Sequence, residues 1–214
     1  MTAIKLCGLT RKEDIEAANR LMPDFVGFVF WNKSRRALTK TEAAGLKELL
    51  DPKISAVGVF VDEDPAVIKE LADEGIIDVI QLHGSEDAAY IKNIKTLTGK
   101  RVIRAVKIKE GLMPDLSETA GADHILLDAG MGDGRTFDWD IISRTGIDTG
   151  RLFLAGGLGP ENVGEAIERI HPYAVDVSSG IETDGHKDPK KMEAFVHNAR
   201  KAGGYRQEQN GGKK

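Results

Sequence analysis

Leu152-Phe153-Leu154-Ala155-Gly156-Gly157-Leu158-Gly159-Pro160-Glu161-Asn162 is an apolar run that passes straight into glycines and then into a proline-started helix. The run is too short for a helix and nearly continuous in its apolar character, as in a strand buried on both faces. The same order of run, turn and amphipathic segment recurs along the chain. The other runs are Ile4–Cys7, Phe25–Phe30, Ser55–Val61, Asp78–Leu82, Val102–Val106, His124–Asp128 and Ala174–Val177. Helix starts are legible between them. Thr10 with Glu13, and Thr39 with Glu42, have the spacing of capping boxes. Pro65, Pro160 and Pro189 each fall where a first helical residue is expected. Ile68 to Ala72 and Val163 to Ile170 carry apolar residues at helical spacing.

Eight strand–helix units, repeating every 20–30 residues or about that, predict an α/β protein: a single (β/α)8 TIM barrel with eight parallel strands and short helices. The structural alternative is an open doubly wound sheet. It normally carries a dinucleotide fingerprint after its first strand, and Cys7-Gly8-Leu9-Thr10 is not one. The chain of 214 residues fits one such domain, expected over residues 1–202. The polar, glycine-rich stretch 203–214 is expected to be a flexible tail.

Composition narrows the function classes. The net charge of −4 argues against a nucleic-acid surface, which would show clustered Lys and Arg. A single cysteine excludes an internal disulfide framework and a cysteine-rich zinc site. No apolar stretch is long enough for a membrane span, so the expectation is a soluble, cytoplasmic protein with no membrane partner.

In a barrel all strand C-termini face one end, so the residues there converge on one pocket. In chain order they are Cys7, the loop Trp31 to Arg36, Gln81 with His83, Lys107, Asp128, Gly156-Gly157 and Ser178-Ser179-Gly180. Residues at the other end, such as Asp24 and Arg101, read as solubilising. A lone cysteine is more often a small buried hydrophobe than a reagent. Cys7, however, ends a strand just before a helix N-terminus, where unpaired backbone N–H groups favour a thiolate. Asp128 ends another strand, and together the two suggest an acid/base pair. The loops after the seventh and eighth strands often form a phosphate site in barrels. Gly156, Gly157, Ser178, Ser179 and Gly180 are the candidates: glycine permits close backbone approach, and serine hydroxyls can donate. His83 either bonds the substrate or ties down a neighbouring loop, and Gln81 goes with it. Asp176 either orients active-site groups or is a satisfied structural carboxylate. Lys107 reads as a solvent lysine, and His186 and Trp139 as structural.

With these residues in hand, the sequence resembles the phosphoribosylanthranilate isomerase family of tryptophan biosynthesis. The matching stretches are Lys5-Leu6-Cys7-Gly8-Leu9-Thr10, Gln81-Leu82-His83-Gly84, Leu126-Leu127-Asp128, Gly134-Arg135-Thr136-Phe137-Asp138-Trp139, Leu154-Ala155-Gly156-Gly157-Leu158 with Pro160-Glu161-Asn162, and Asp176 to Glu182. Gly185 with Lys187-Asp188-Pro189 fits the family's approach to its last helix. The resemblance implies a (β/α) barrel and an Amadori rearrangement of a phosphosugar, an aminoaldose becoming an aminoketose, with no cofactor and no metal. It implies Cys7 as general base, Asp128 as general acid and Arg36 as the clamp on the anthranilate carboxylate. The partner expected is a small-molecule phosphosugar, and the protein is either a monomer or a homodimer. Such chemistry needs an acid on the ring oxygen and a base at the sugar C2, on opposite sides of the substrate. Cys7 then needs help to ionise, and Asp128 must hold a proton near pH 7.

The chain departs from the family pattern after the second strand, where Lys-Ser-Pro-Arg and an aromatic residue are usual. Here the run is Lys33-Ser34-Arg35-Arg36-Ala37, so Arg35 competes with Arg36 for the clamp. The loop Ala129 to Gly134 is also shorter than is usual. The related histidine-pathway isomerase carries an aspartate where Cys7 stands and shows a half-barrel repeat, and neither is found; an isomerase acting on both substrates stays open as the alternative. A Schiff-base aldolase needs a lysine at the sixth strand end, where Asp128 stands. A non-catalytic phosphosugar-binding barrel would not need Cys7 and Asp128 together.

Overall fold

The structure is a computed structural model that describes residues 1–108, 113–128 and 139–204. Eight parallel strands close into a barrel: β1 (Ala3–Cys7), β2 (Phe25–Val29), β3 (Ser55–Phe60), β4 (Val79–Leu82), β5 (Arg101–Lys107), β6 (His124–Asp128), β7 (Leu152–Ala155) and β8 (Ala174–Val177). Closure is made by β8 pairing with β1, with Lys5 opposite Asp176. The helices are α1 (Lys12–Leu21), α2 (Lys40–Leu49), α3 (Pro65–Asp73), α4 (Ala88–Thr98), α5 (Asp140–Thr145), α6 (Val163–Ile170) and α7 (Pro189–Ala202). Between β5 and β6 the described residues hold only a 3₁₀ turn, Ser117–Thr119, in place of the helix that strict alternation predicts. A small antiparallel pair, β9 (Glu182–Thr183) with β10 (His186–Lys187), separates β8 from α7. The tail expected beyond residue 202 lies, from residue 205 on, outside the described residues, as does the loop after Asp128 with Arg135, Thr136, Phe137 and Asp138.

Side chains alternate in and out of the barrel wall, and each set packs its own core. Inward-facing Phe25, Val57, Val79, Ile103, Leu126 and Phe153 fill the barrel. Outward-facing residues such as Leu6, Phe28, Phe60, Ile80, Leu127 and Val175 meet the apolar stripes of the helices. Both faces of each strand are therefore buried, which explains the near-continuous apolar runs.

Helix starts differ from expectation in two places. Thr39 and Glu42 do form the capping box of α2, and Asp64–Pro65 and Asp188–Pro189 start α3 and α7 as read. For α1 the cap lies one residue later: the Asp14 carboxylate, not Glu13, accepts from the Thr10 and Arg11 amides, and the Arg11 guanidinium fixes it. Pro160 lies in a turn before α6, which begins at Val163. There Asn162 bridges the glycine loop, its amide donating to Gly157 O and its oxygen accepting from the Gly159 N–H.

Asp24 is not merely solubilising. It stands just before β2, and its Oδ2 accepts the Ile4 N–H of β1 at 2.8 Å. Asp78, which precedes β4 instead of opening it, accepts the Ala56 N–H of β3 at 2.8 Å. Asp123 before β6 accepts the Val102 N–H of β5 at the same distance. Three carboxylates thus satisfy strand-start donors that would otherwise be orphaned.

Candidate active site

A cavity of about 1410 Å³ opens at the C-terminal ends of the strands. It is lined by all eleven residues that the sequence singled out: Cys7, Arg36, Gln81, His83, Asp128, Gly156, Gly157, Asp176, Ser178, Ser179 and Gly180. Trp31 and Met113, both exposed, stand at the same cavity. The topology accounts for this convergence, since every strand points the same way.

The two glycine-bearing loops meet backbone to backbone. A Cβ on Gly180 would lie 1.9 Å from the Leu158 carbonyl oxygen, so only glycine fits there. Gly156 and Gly157 have φ of 87° and 66°, which L-residues with side chains rarely adopt. The Ser178 hydroxyl is engaged within the protein: it donates to the Cys7 carbonyl at 3.1 Å and so ties the β8 loop to the end of β1.

On the opposite wall, Gln81 Nε2 stands 3.1 Å from His83 Nδ1, and His83 Nε2 stands 3.4 Å from Asp128 Oδ2. With the Gln81 amide donating to Nδ1, a neutral ring carries its proton on Nε2, facing the Asp128 carboxylate. His83 thus stands between Gln81 and Asp128. Its loop is held by residues that sequence reasoning passed over. Buried Arg104 donates to the carbonyls of Leu82 and Gly84, and Glu86 accepts from the amides of Asp62 and Gly84.

Arg36 rather than Arg35 reaches the cavity; the Arg35 side chain is 59% exposed, that of Arg36 21%. Both are bound by Glu182, to which the sequence had given no role. Arg36 grips it through Nε at 2.6 Å and Nη2 at 2.9 Å, Lys187 Nζ at 2.8 Å and Arg35 at 2.5 Å. Two of the five guanidinium donors of Arg36 are used, which leaves three for a ligand in a fixed orientation. Burial alone would raise the Glu182 carboxyl, but hydrogen bonds and charge from Arg36 and Lys187 hold it down at about 2. A carboxylate lowered on folding contributes stability above its ordinary value, near 4.5, and that contribution vanishes as pH falls through about 2. Urea unfolding across this range is therefore expected to separate the parent from Glu182→Gln. The advantage of the parent, of order 3 kcal/mol near neutrality, should shrink between about pH 5 and pH 2. Parallel stability curves would show that the cluster does not hold Glu182 in its charged form.

At the base of the cavity the strands depart from their apolar character. Lys5, quoted in the sequence only as part of a motif, is fully buried and paired through Nζ with Asp176 Oδ2 at 2.9 Å. Asp176 is thus a partnered carboxylate, though its Oδ1 is buried with no hydrogen-bond partner. Cys7 sits beside this pair, 9% exposed. Burial pushes its thiol above the ordinary value, against the pull of Lys5 and Lys187, while Asp176 adds to the push. The backbone N–H groups expected to favour a Cys7 thiolate are already engaged: those of Gly8 and Leu9 donate to the Gly27 carbonyl, and those of Thr10 and Arg11 to the Asp14 carboxylate. Among the described residues no group of three or more His, Cys, Asp or Glu is placed to hold a metal ion, and no helix is long and apolar enough to cross a membrane.

Fold and site together define a barrel enzyme with a thiol, a carboxylate and an arginine around one cavity walled by glycine-rich loops. Residues 4–198 match the family described as N-(5′-phosphoribosyl)anthranilate (PRA) isomerase. The chain belongs to that family. It is 44% identical to the N-(5′-phosphoribosyl)anthranilate isomerase of a Thermoanaerobacter species, over 94% of this chain and 98% of that one. Among solved structures it is similar to TrpF from Jonesia denitrificans, with TM-score 0.84, 38% identity, and coverage of 94% of this chain and 98% of the other. It is also similar to a phosphoribosyl anthranilate isomerase crystallised with reduced 1-(o-carboxyphenylamino)-1-deoxyribulose 5-phosphate, with TM-score 0.79, 36% identity, and coverage of 94% and 100%.

Proposed function

We infer that this protein isomerises N-(5′-phosphoribosyl)anthranilate to 1-(2-carboxyphenylamino)-1-deoxyribulose 5-phosphate, a step of tryptophan biosynthesis. One observation carries the assignment of roles: Cys7 and Asp128 line a single cavity together with the two glycine-bearing loops. In this reading the phosphate binds at Gly156, Gly157 and the segment Ser178, Ser179 and Gly180. The free donors of Arg36 take the anthranilate carboxylate in a planar, charge-assisted pairing. The sugar then lies between the thiol and the carboxyl group.

Asp128 gives its proton to the furanose oxygen, the ring C–O bond breaks, and the nitrogen lone pair forms the iminium ion. The Cys7 thiolate removes the C2 proton, and the electrons of that C–H bond neutralise the iminium to leave an enolamine. Tautomerisation moves a proton from the C2 hydroxyl to C1 and gives the ketone. The net proton balance is zero once Cys7 releases its proton and Asp128 regains one from solvent. Gln81 and His83 orient Asp128, and Asp176 belongs to the charge arrangement around Cys7. We assign the catalytic unit to residues 1–202, acting in the cytoplasm on a soluble phosphosugar.

Purified protein is expected to turn over the substrate, followed by loss of the fluorescence of the anthranilate adduct. Turnover no faster than spontaneous decay would refute the assignment.

A further inference from the structure

Lys5 and Asp176 form an ion pair inside a barrel whose lower interior is apolar. The two are register partners on β1 and β8, and Lys5 Nζ lies 2.9 Å from Asp176 Oδ2. Lys5 is completely buried and is not a lining residue of the cavity, so it has no direct path to a substrate. Cys7 comes two residues later on the same strand and therefore faces the same way. The Lys5 ammonium thus stands beneath the thiol, with Asp176 at its side.

An ion pair of this kind is a poor source of stability. Well-packed apolar residues of similar volume often serve a core as well or better, because both charges must shed water. The pair is better explained by what it does to its neighbour. We propose that Lys5 is a positioning residue for the reaction: its ammonium, kept charged by Asp176, stabilises the Cys7 thiolate that receives the sugar proton. The proposal rests on Cys7 being the base.

The surrounding charges agree with this role. Burial disfavours the Cys7 thiolate, and Lys5 opposes that by charge and by a side-chain hydrogen bond. Burial also opposes the Lys5 ammonium, but Asp176 and Cys7 outweigh it, and the lysine stays protonated beyond its ordinary range. The other charges that bear on the thiol are Asp176 from β8, which opposes the thiolate, and Lys187 from β10, which favours it. Arg36, in the loop after β2, adds positive charge from the cavity side. Lys187 is bonded to Glu182 and Ser178, and Arg36 is bonded to Glu182, so their charges are partly spent. Lys5 is itself paired with Asp176, yet of these cations it acts most strongly on the thiol, by charge and by a side-chain hydrogen bond.

Because Cys7 is the only cysteine of the chain, its ionisation can be read directly from thiolate absorbance and from the pH dependence of its alkylation by iodoacetamide. In Lys5→Met the thiol is expected to titrate at least about one pH unit higher than in the parent. The rate at neutral pH should fall by about 10-fold and recover partly at alkaline pH, where thiolate reappears. A merely structural role for Lys5 would leave the titration unmoved. Lys5→Met strands a buried carboxylate and is liable to misfold, so Lys5→Met/Asp176→Asn is titrated beside it. There the loss of Lys5 and the loss of Asp176 act in opposite senses, and the thiol is expected between the parent and the single variant. If only the double variant folds, a thiol above the parent supports the proposal. Titration at or below the parent value, in whichever variants fold, overturns it. The base assignment stands or falls separately, on whether Cys7→Ala keeps its turnover.

Discussion

Asp128→Asn is expected to lower kcat by about 10²-fold or more while the substrate still binds. The amide has the shape of the carboxyl group and keeps an oxygen for the His83 Nε2 that faces Asp128 at 3.4 Å. What it lacks is a transferable proton. Ring opening must then proceed by protonation from water, and the advantage of a positioned acid is lost. Since the residues proposed to bind phosphate and carboxylate lie on other walls of the cavity, affinity for a stable product analogue should change little. Titration calorimetry with such an analogue, beside steady-state turnover, separates the two effects. A variant with parental kcat would remove Asp128 from the acid role.

Cys7→Ala is expected to be at least as damaging, again by about 10²-fold or more in kcat. Alanine leaves the strand and the Cys7 carbonyl, which accepts from Ser178, in place, so the loop after β8 keeps its support. The pH dependence gives a sharper test than the rate alone. Because burial holds the thiol above its ordinary value, the parent enzyme carries little thiolate at neutral pH. Its kcat/KM is expected to rise with pH on the alkaline side until the thiol ionises, and that rise should be missing from the residual activity of the variant. A Cys7→Ala protein with the parental alkaline limb would show that the titrating base is another group.

The sequence made the barrel legible because its signals were local. Each strand announces itself by a short apolar run, and residues at the run's end fall at the cavity mouth by topology alone. Cys7, His83, Asp128 and the two glycine-bearing loops were all found in this way. The ion pairs of the site were not, because pairing across the barrel has no local pattern. Glu182 is separated from Arg36 by 146 positions, and Asp176 from Lys5 by 171. A charged residue within an apolar strand, as Lys5 is within Ala3–Cys7, was the one available sign of a buried charge. Near-matches misled where two acids stood side by side: Glu13 has the capping-box spacing from Thr10, yet Asp14 is the residue that caps. Asp24 read as a surface charge because nothing nearby tells that its oxygen meets a neighbouring strand.

The aspartates at the strand starts have a wider consequence. Asp24, Asp78 and Asp123 join β1 to β2, β3 to β4 and β5 to β6, like rivets along the lower hoop of a cask. The staves are fastened two by two at the rim away from the chemistry. Heat tolerance can therefore drift at one rim through substitutions there while the reactive rim keeps its shape, giving this architecture separate handles for endurance and for turnover.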